Sequence, residues 1–216
     1  MQQAALMDWH ERLAVTSTNA DEPSGIQGMA DEELLRLCAR EDERALQELV
    51  RRHQSPLFRF LYRLTGSRED AEEAAIEVFM RAWRNAPHFR FEARVSTWLF
   101  RIAVNIARDL IARRKARPEA PWPAEPEFDR LPSGSAEQDA LDRLVAEDRG
   151  RALRSGLAKL SDLDRLVLVL YYLEDRDYDE IGRIAGLSYP VLKTRLARAR
   201  KRLRAVLEAH GHEEVL

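Results

Sequence analysis

Between Pro87 and Asn105 the rings of Phe89, Phe91 and Trp98 alternate with Arg90, Arg94 and Arg101, and the amide of Asn105 follows a turn or two later. Rings interleaved with guanidinium groups suit unpaired nucleic acid, because each base stacks for ~1–3 kcal/mol while arginine holds the backbone. The same rings near a helix start also suit a hydrophobic core, so residue types alone leave both readings open. A second cluster lies near the C-terminus. From Lys193 to Arg204 there are seven basic residues (Lys193, Arg195, Arg198, Arg200, Lys201, Arg202, Arg204) and no acid. With Leu192, Leu196, Ala199, Leu203 and Val206 forming one apolar stripe, Lys193, Thr194, Arg195 and Arg198 fall on other faces of the same helix. That arrangement offers cations to a duplex groove, where each engaged cation adds ~0.9 to the log-log salt slope. A solvated basic face on an ordinary helical hairpin is the competing reading.

Other chemistry finds little support. Glu72 and Glu73 are adjacent on a helix and point apart, so they form no catalytic dyad. His210 and His212 lack a third ligand for a metal. Cys38 keeps helical spacing with Leu34 and Leu35 and reads as a small core residue. With no phosphate loop, nucleophile elbow or metal-ligand cluster in the pattern, the expectation is a non-enzyme without a cofactor.

The elements that must position the two clusters are helices. Leu34, Leu35 and Cys38, then Leu46, Leu49 and Val50, then Leu57, Phe60, Leu61 and Leu64 recur at steps of three and four, with Pro56 predicting a break or kink and Gly66 a stop. Ser67 with Asp70 resembles a capping box ahead of Ala71, Ala74, Ala75, Val78, Phe79, Ala82 and Trp83. A longer helix is expected from about Ser96 to Lys115, completing a domain of four or five helices. Further helices are expected near 137–157, 162–173, 178–185 and 189–208, with Ser161, Asp177 and Ser188 as N-caps. The last two, joined by a turn at Gly186 and Leu187, make a helix-turn-helix in which Gly182 is expected to let the helices cross closely.

Prolines 118, 121, 123, 126 and 132 and Gly134 place a linker at 116–136, which at ~3.3 Å per residue could reach roughly 70 Å. Residues 1–30 read as a flexible extension and 209–216 as a tail. The fold class expected is therefore all-α: two small helical domains, 31–115 and 137–208, joined by a Pro-rich flexible linker.

A chain of 216 residues with 45% hydrophobic and 33% charged residues is long enough for at least one good core and too charged for a membrane protein. No apolar run approaches ~20 residues, so no membrane insertion is expected. One cysteine excludes an internal disulfide framework, and residues 1–12 lack the basic start and apolar stretch of a secretory signal, which together suggest a reducing cytoplasm. Net charge is -2. That mean conceals local fields, including the run Arg113, Arg114, Lys115 and Arg117.

Taken together, DAEEAAIEVFMRAW (Asp70 to Trp83), FRFEARVSTWLFRIAVN (Phe89 to Asn105) and DYDEIGRIAGLSYPVLKTRLARARKRLR (Asp177 to Arg204) resemble the bacterial sigma-70 family of transcription initiation factors, in its small extracytoplasmic-function type with regions two and four only. The resemblance covers roughly Asp31 to Arg204, and its start makes Met29 a candidate initiator.

The resemblance implies that the chain binds core RNA polymerase, through the beta-prime clamp coiled coil and the beta flap, and directs initiation at promoters with -10 and -35 elements. The implied polymerase-binding positions are Asp70, Glu73, Ile76, Glu77, Phe79, Met80 and Trp83. Those implied around a flipped base of the -10 element are Phe89, Arg90, Phe91, Glu92, Ala93, Arg94, Val95, Trp98 and Asn105, with Arg101, Arg108, Arg113, Arg114 and Lys115 on nearby DNA backbone. Implied for the -35 element are Tyr189, Lys193, Thr194, Arg195, Ala197 and Arg198. Flipping a base costs a few kcal/mol, which stacking and hydrogen bonds can offset, so melting needs no catalytic chemistry from this chain. An anti-sigma factor is a further implied partner. Three departures stand out: Ile76 where the family commonly has Gln, Tyr171 where many relatives have Arg, and Tyr189-Pro190 where relatives often have Val-Gly. A stand-alone helix-turn-helix regulator and an all-helical interaction scaffold remain as other readings of the residues.

Overall fold

The computed structural model describes residues 25–116, 150 and 152–209, and all of its regular structure is helical. These residues form two units: those up to Leu61 with Glu69–Leu110, and Tyr62–Arg68 with those from Ile111 onward. The division differs from the expected boundary at 115, because the last residues of two long helices group with the second unit.

Helix α1 spans Asp31–Cys38, α2 Glu43–Thr65, α3 Arg68–Asn85 and α4 Val95–Ala116, all but residues 62–65, 68 and 111–116 of them lying in the first unit. A 3-10 turn, Ala86–His88, follows α3. Helix α1 begins with Asp31, Glu32 and Glu33 in its first turn, where carboxylates favour the positive end of the helix dipole, and Ala30 N–H donates to the Glu33 carboxylate at 3.1 Å. The predicted core stripes hold: Leu34, Leu35, Cys38, Leu46, Leu49, Val50, Leu57, Phe60, Leu61 and Leu64 are all buried. Phe60 packs on Phe100 of α4 with ring centroids 4.9 Å apart. Pro56 does not break the chain, since α2 runs through it for 23 residues; an apolar face buried on both sides of the proline outweighs the missing N–H. Gly66 stops α2 at φ 69°, a left-handed backbone that glycine adopts without strain.

The expected extension at 1–30 is shortened by the structure. Arg52 donates to the carbonyls of Gln27 and Met29 and pairs with Asp31 at 2.9 Å, so the fold reaches back to Gln27. Arg51 and Arg52 also grip Glu48, whose carboxyl is held at about 2, first by its hydrogen bond to Arg51 and then, against the opposing effect of burial, by Arg52. Burial pushes the Cys38 thiol up to about 12, with the charge of Asp42 adding to it. A thiol so placed stays protonated and unreactive.

In the second unit, residues 152–158 are helical, followed by α5, Asp162–Leu168, then a π-helical segment, Val169–Leu173, then α6, Tyr178–Ala185, and α7, Tyr189–Glu208. Residues 137–149 of the expected helix, the linker from 117, and His210 and His212 lie outside the described residues. The single helix expected over 162–173 is an α-helix that widens. Glu174 N–H donates to the carbonyl of Val169, five residues back, which keeps Leu170 in the core while Tyr172 and Leu173 turn outward.

Ser161 and Asp177 cap their helices through side-chain bonds to the N–H groups of Asp164 and Glu180. Ser188 occupies the N-cap position of α7 without such a bond. Gly182 also differs from expectation. A Cβ there would sit 2.9 Å from the carbonyl oxygen of Leu187 in the turn, so the close approach is to the turn and not to a crossing helix. The close helix contact is at Gly156, where a Cβ would lie 2.9 Å from Leu203 of α7. Gly186, at φ 71°, and Leu187 both donate to the carbonyl of Gly182 and close the turn. The apolar seam of α7 is Leu192, Leu196, Ala199, Leu203 and Leu207; Leu207 takes the place expected for Val206, which is half-buried.

Candidate nucleic-acid interface

The loop between the 3-10 turn and α4 gathers the rings that the sequence spaced apart. Phe89 lies edge-on to Phe91, centroids 4.8 Å apart, and at 4.8 Å from Trp98 on α4. Phe91 is 38% exposed, and Phe89 and Trp98 are half-buried. The core alternative therefore fits only in part: the ring group roots in the unit and leaves ring surface facing solvent. Phe91 also carries φ 55°, a left-handed backbone rare for a residue with a bulky side chain. The guanidinium of Arg36, from α1, sits over the Phe91 ring, 4.3 Å from its centroid. Residue patterning gave no hint of Arg36, whose partner is distant in sequence.

Arg90, Glu92 and Arg94 are exposed beside the rings and Ala93 is half-buried. Val95 is 1% exposed and belongs to the core, because the first residue of α4 points inward, so its side chain is not offered to a base as the resemblance implies. Along α4, Trp98, Arg101, Asn105 and Arg108 follow at three- and four-residue steps, and the last three are exposed. The result is one surface running from stacked rings through a cation and an amide to a second cation. Beyond it, Arg113 is exposed, Arg114 donates to the carbonyl of Thr65 and Lys115 pairs with Asp162, the latter two contacts within the second unit.

Helix α3 presents Glu73, Ile76, Met80 and Trp83 along one side at steps of three and four, with Asp70 half-buried near its start. Glu77 pairs with Arg81 at 2.7 Å and with Arg84 at 3.7 Å. Phe79 is 3% exposed, locked in the seam with Ala71, Ala74, Val78 and Ala82, and so cannot face a partner as expected.

In the second unit, Lys193, Thr194, Ala197 and Arg198 are exposed on α7, while Thr194 Oγ1 donates to the carbonyl of Pro190. Arg195 does not share that outward face. It is on the far edge of the helix, paired through Nη1 with Asp164 Oδ1 at 2.9 Å, and Arg202 takes the other oxygen of the same carboxylate. The opposite edge is paved with phenols. Tyr189, 56% exposed, lies 5.4 Å from Tyr178, which is 5.5 Å from Tyr171, itself 4.9 Å from Tyr172, whose hydroxyl accepts from Arg200. Burial and the neighbouring phenols Tyr171 and Tyr189 push the Tyr178 phenol up. Neither Asp164 nor the tyrosine row is visible in helical periodicity.

This geometry defines an all-helical protein of the helix-turn-helix class with a second, ring-bearing helical unit. Residues 49–117 match the family Sigma-70 region 2 and residues 150–203 match Sigma-70, region 4. The chain is 33% identical over 168 residues to the ECF RNA polymerase sigma factor SigE of Mycolicibacterium smegmatis, a match covering 77% of this chain and 63% of that one. It is 31% identical over 174 residues to SigW of Bacillus subtilis, another ECF RNA polymerase sigma factor, covering 77% of this chain and 90% of the relative. Among solved structures, CnrH in complex with the cytosolic domain of CnrY superposes with a TM-score of 0.61 at 27% identity, over 84% of this chain and 99% of CnrH. The chain belongs to the sigma-70 family, among its extracytoplasmic-function sigma factors. Members of this family are DNA-binding regulators rather than enzymes. No helix among the described residues is long and apolar enough to cross a membrane.

Proposed function

We propose that this chain joins core RNA polymerase and directs initiation at promoters by reading two elements, one with each unit. The observation that carries the proposal is the unbroken surface of the first unit, from the Phe89, Phe91 and Trp98 rings into Arg101 and Asn105 on α4. Rings held at 4.8 Å spacing, with Phe91 exposed and Phe89 and Trp98 half-buried, suit stacking of unpaired bases, and the amide can both donate to and accept from a base edge. Arg90, Arg94, Arg101, Arg108 and Arg113 then contact backbone phosphates. The Glu73, Ile76, Met80 and Trp83 side of α3 docks on the polymerase clamp, its apolar side chains flanked by acids. In the second unit Tyr189, Lys193, Thr194, Ala197 and Arg198 meet the -35 duplex, α7 lying in the major groove.

Each grip alone is weak, and joining both in one chain raises the effective concentration of the second. A protein partner that covers the chain in its idle state fits the same surfaces, as CnrH was solved with the cytosolic domain of CnrY. The place of work is the cytoplasm, beside the polymerase and the chromosome. A stand-alone operator-binding regulator would leave the ring-bearing unit without a use.

Asn105→Ala tests the proposal in reconstituted holoenzyme. Open-complex formation on a matched promoter should fall while affinity for core polymerase holds. Equal loss of both would count against the -10 assignment.

A further inference from the structure

Asp164 sits in the first turn of α5 and is 1% exposed. Its carboxylate is spent entirely on α7: Oδ1 accepts from Arg195 and Oδ2 from Arg202, two residues seven positions apart and so on one edge of that helix. The Arg202 side chain is 61% exposed yet folds back to this acid instead of reaching outward. A carboxylate buried this deeply must keep at least one cation, since losing both would leave its charge unpaired away from water, and here each oxygen takes one guanidinium. We propose that Asp164 is a specificity-determining positioning residue for duplex recognition. By tying back Arg195 and Arg202 it withholds two cations from the DNA phosphates and fixes the rotation of α7, so that Lys193, Thr194, Ala197 and Arg198 meet the groove.

The physical basis is counterion release. Affinity for any duplex grows with the number of phosphates a protein neutralises, whatever the base sequence, so cations committed elsewhere lower indiscriminate binding without touching base readout. Asp164 thus trades general affinity for discrimination. The inference rests on the reading of α7 as the duplex-binding helix, and the experiment separates the two.

Holoenzyme carrying Arg198→Gln, Arg202→Gln or Asp164→Asn is titrated with salt on a matched promoter duplex and on an unrelated duplex. Arg198→Gln should flatten the log-log slope by ~0.9, Arg202→Gln should leave it unchanged, and Asp164→Asn should steepen it by ~0.9–1.8 and narrow the matched-to-unrelated affinity ratio. If Arg202→Gln flattens the slope as Arg198→Gln does, or folded Asp164→Asn alters neither slope nor ratio, the inference is overturned. An unchanged slope with Arg198→Gln removes the duplex reading itself. Arg202→Gln changes an exposed side chain, so the test stands even if Asp164→Asn fails to fold.

Discussion

Phe91 joins a ring that faces solvent to a backbone that resists having a side chain at all, and substituting it by Ala and by Gly separates the two. Both variants lose the Arg36 contact, worth ~0.5–1 kcal/mol at an exposed site, and the edge-on pair with Phe89, worth ~0.5–1.5 kcal/mol. They differ at φ 55°, where a residue with a Cβ bears ~1–2 kcal/mol that glycine does not, against ~0.5–1 kcal/mol for the greater freedom of glycine in the unfolded chain. Phe91→Gly should therefore be more stable than Phe91→Ala by on the order of 0.5–1 kcal/mol, the reverse of the usual ranking, measured as urea midpoints of the full chain. On a fluorescent single strand carrying a -10 element, both holoenzymes should bind more weakly by ~1–3 kcal/mol, roughly 5- to 150-fold, since each has lost the stacking surface. A glycine variant no more stable than the alanine variant would refute the backbone argument. Unchanged strand affinity in both would refute the stacking role.

Glu48 gives a pH prediction. Its carboxyl is held at about 2, below its ordinary 4.5, so the stabilisation is complete above about 4.5 and is lost as pH falls through about 2. Glu48→Gln should cost on the order of 1–3 kcal/mol at neutral pH, and its urea midpoint should converge on the parent's as pH drops through that window; a constant gap would contradict the pairing with Arg51 and Arg52. Gly182→Ala sets two effects against each other. Helix propensity favours alanine by ~1 kcal/mol, but the Cβ would meet the Leu187 carbonyl at 2.9 Å, so a net loss of ~1–3 kcal/mol is expected, with weaker binding of a -35 duplex. A raised melting temperature would show that the turn yields easily.

Local periodicity carried the core far. The steps from Leu34 to Leu64 and the seam from Leu192 to Leu203 are buried as read, because helix rotation is dictated by where apolar residues recur. The ring loop was legible for a related reason: Phe89, Phe91 and Trp98 lie within ten positions, so a single turn of chain brings them together. What escaped are features joining residues far apart. Asp164 meets Arg195 and Arg202 across 31 and 38 positions, and Arg36 reaches Phe91 from another helix. Phe79, placed on a contact helix, and Val95, placed in the ring loop, are both buried, because matching a family segment says nothing about which way each side chain turns. The close helix contact expected at Gly182 falls at Gly156, to which the sequence reading gave no role, because spacing marks a small residue without showing whether backbone or side chain approaches it.

On α7 the packing duties fall on three sides: the leucine seam, the Asp164 edge and the phenol edge. Thr194, Ala197, Arg198 and Lys201, on the remaining face, are exposed and carry none of that packing. If α7 reads the duplex as proposed, changes there would retarget the protein to a new set of genes without loosening its scaffold, leaving address free to drift on an unchanged frame.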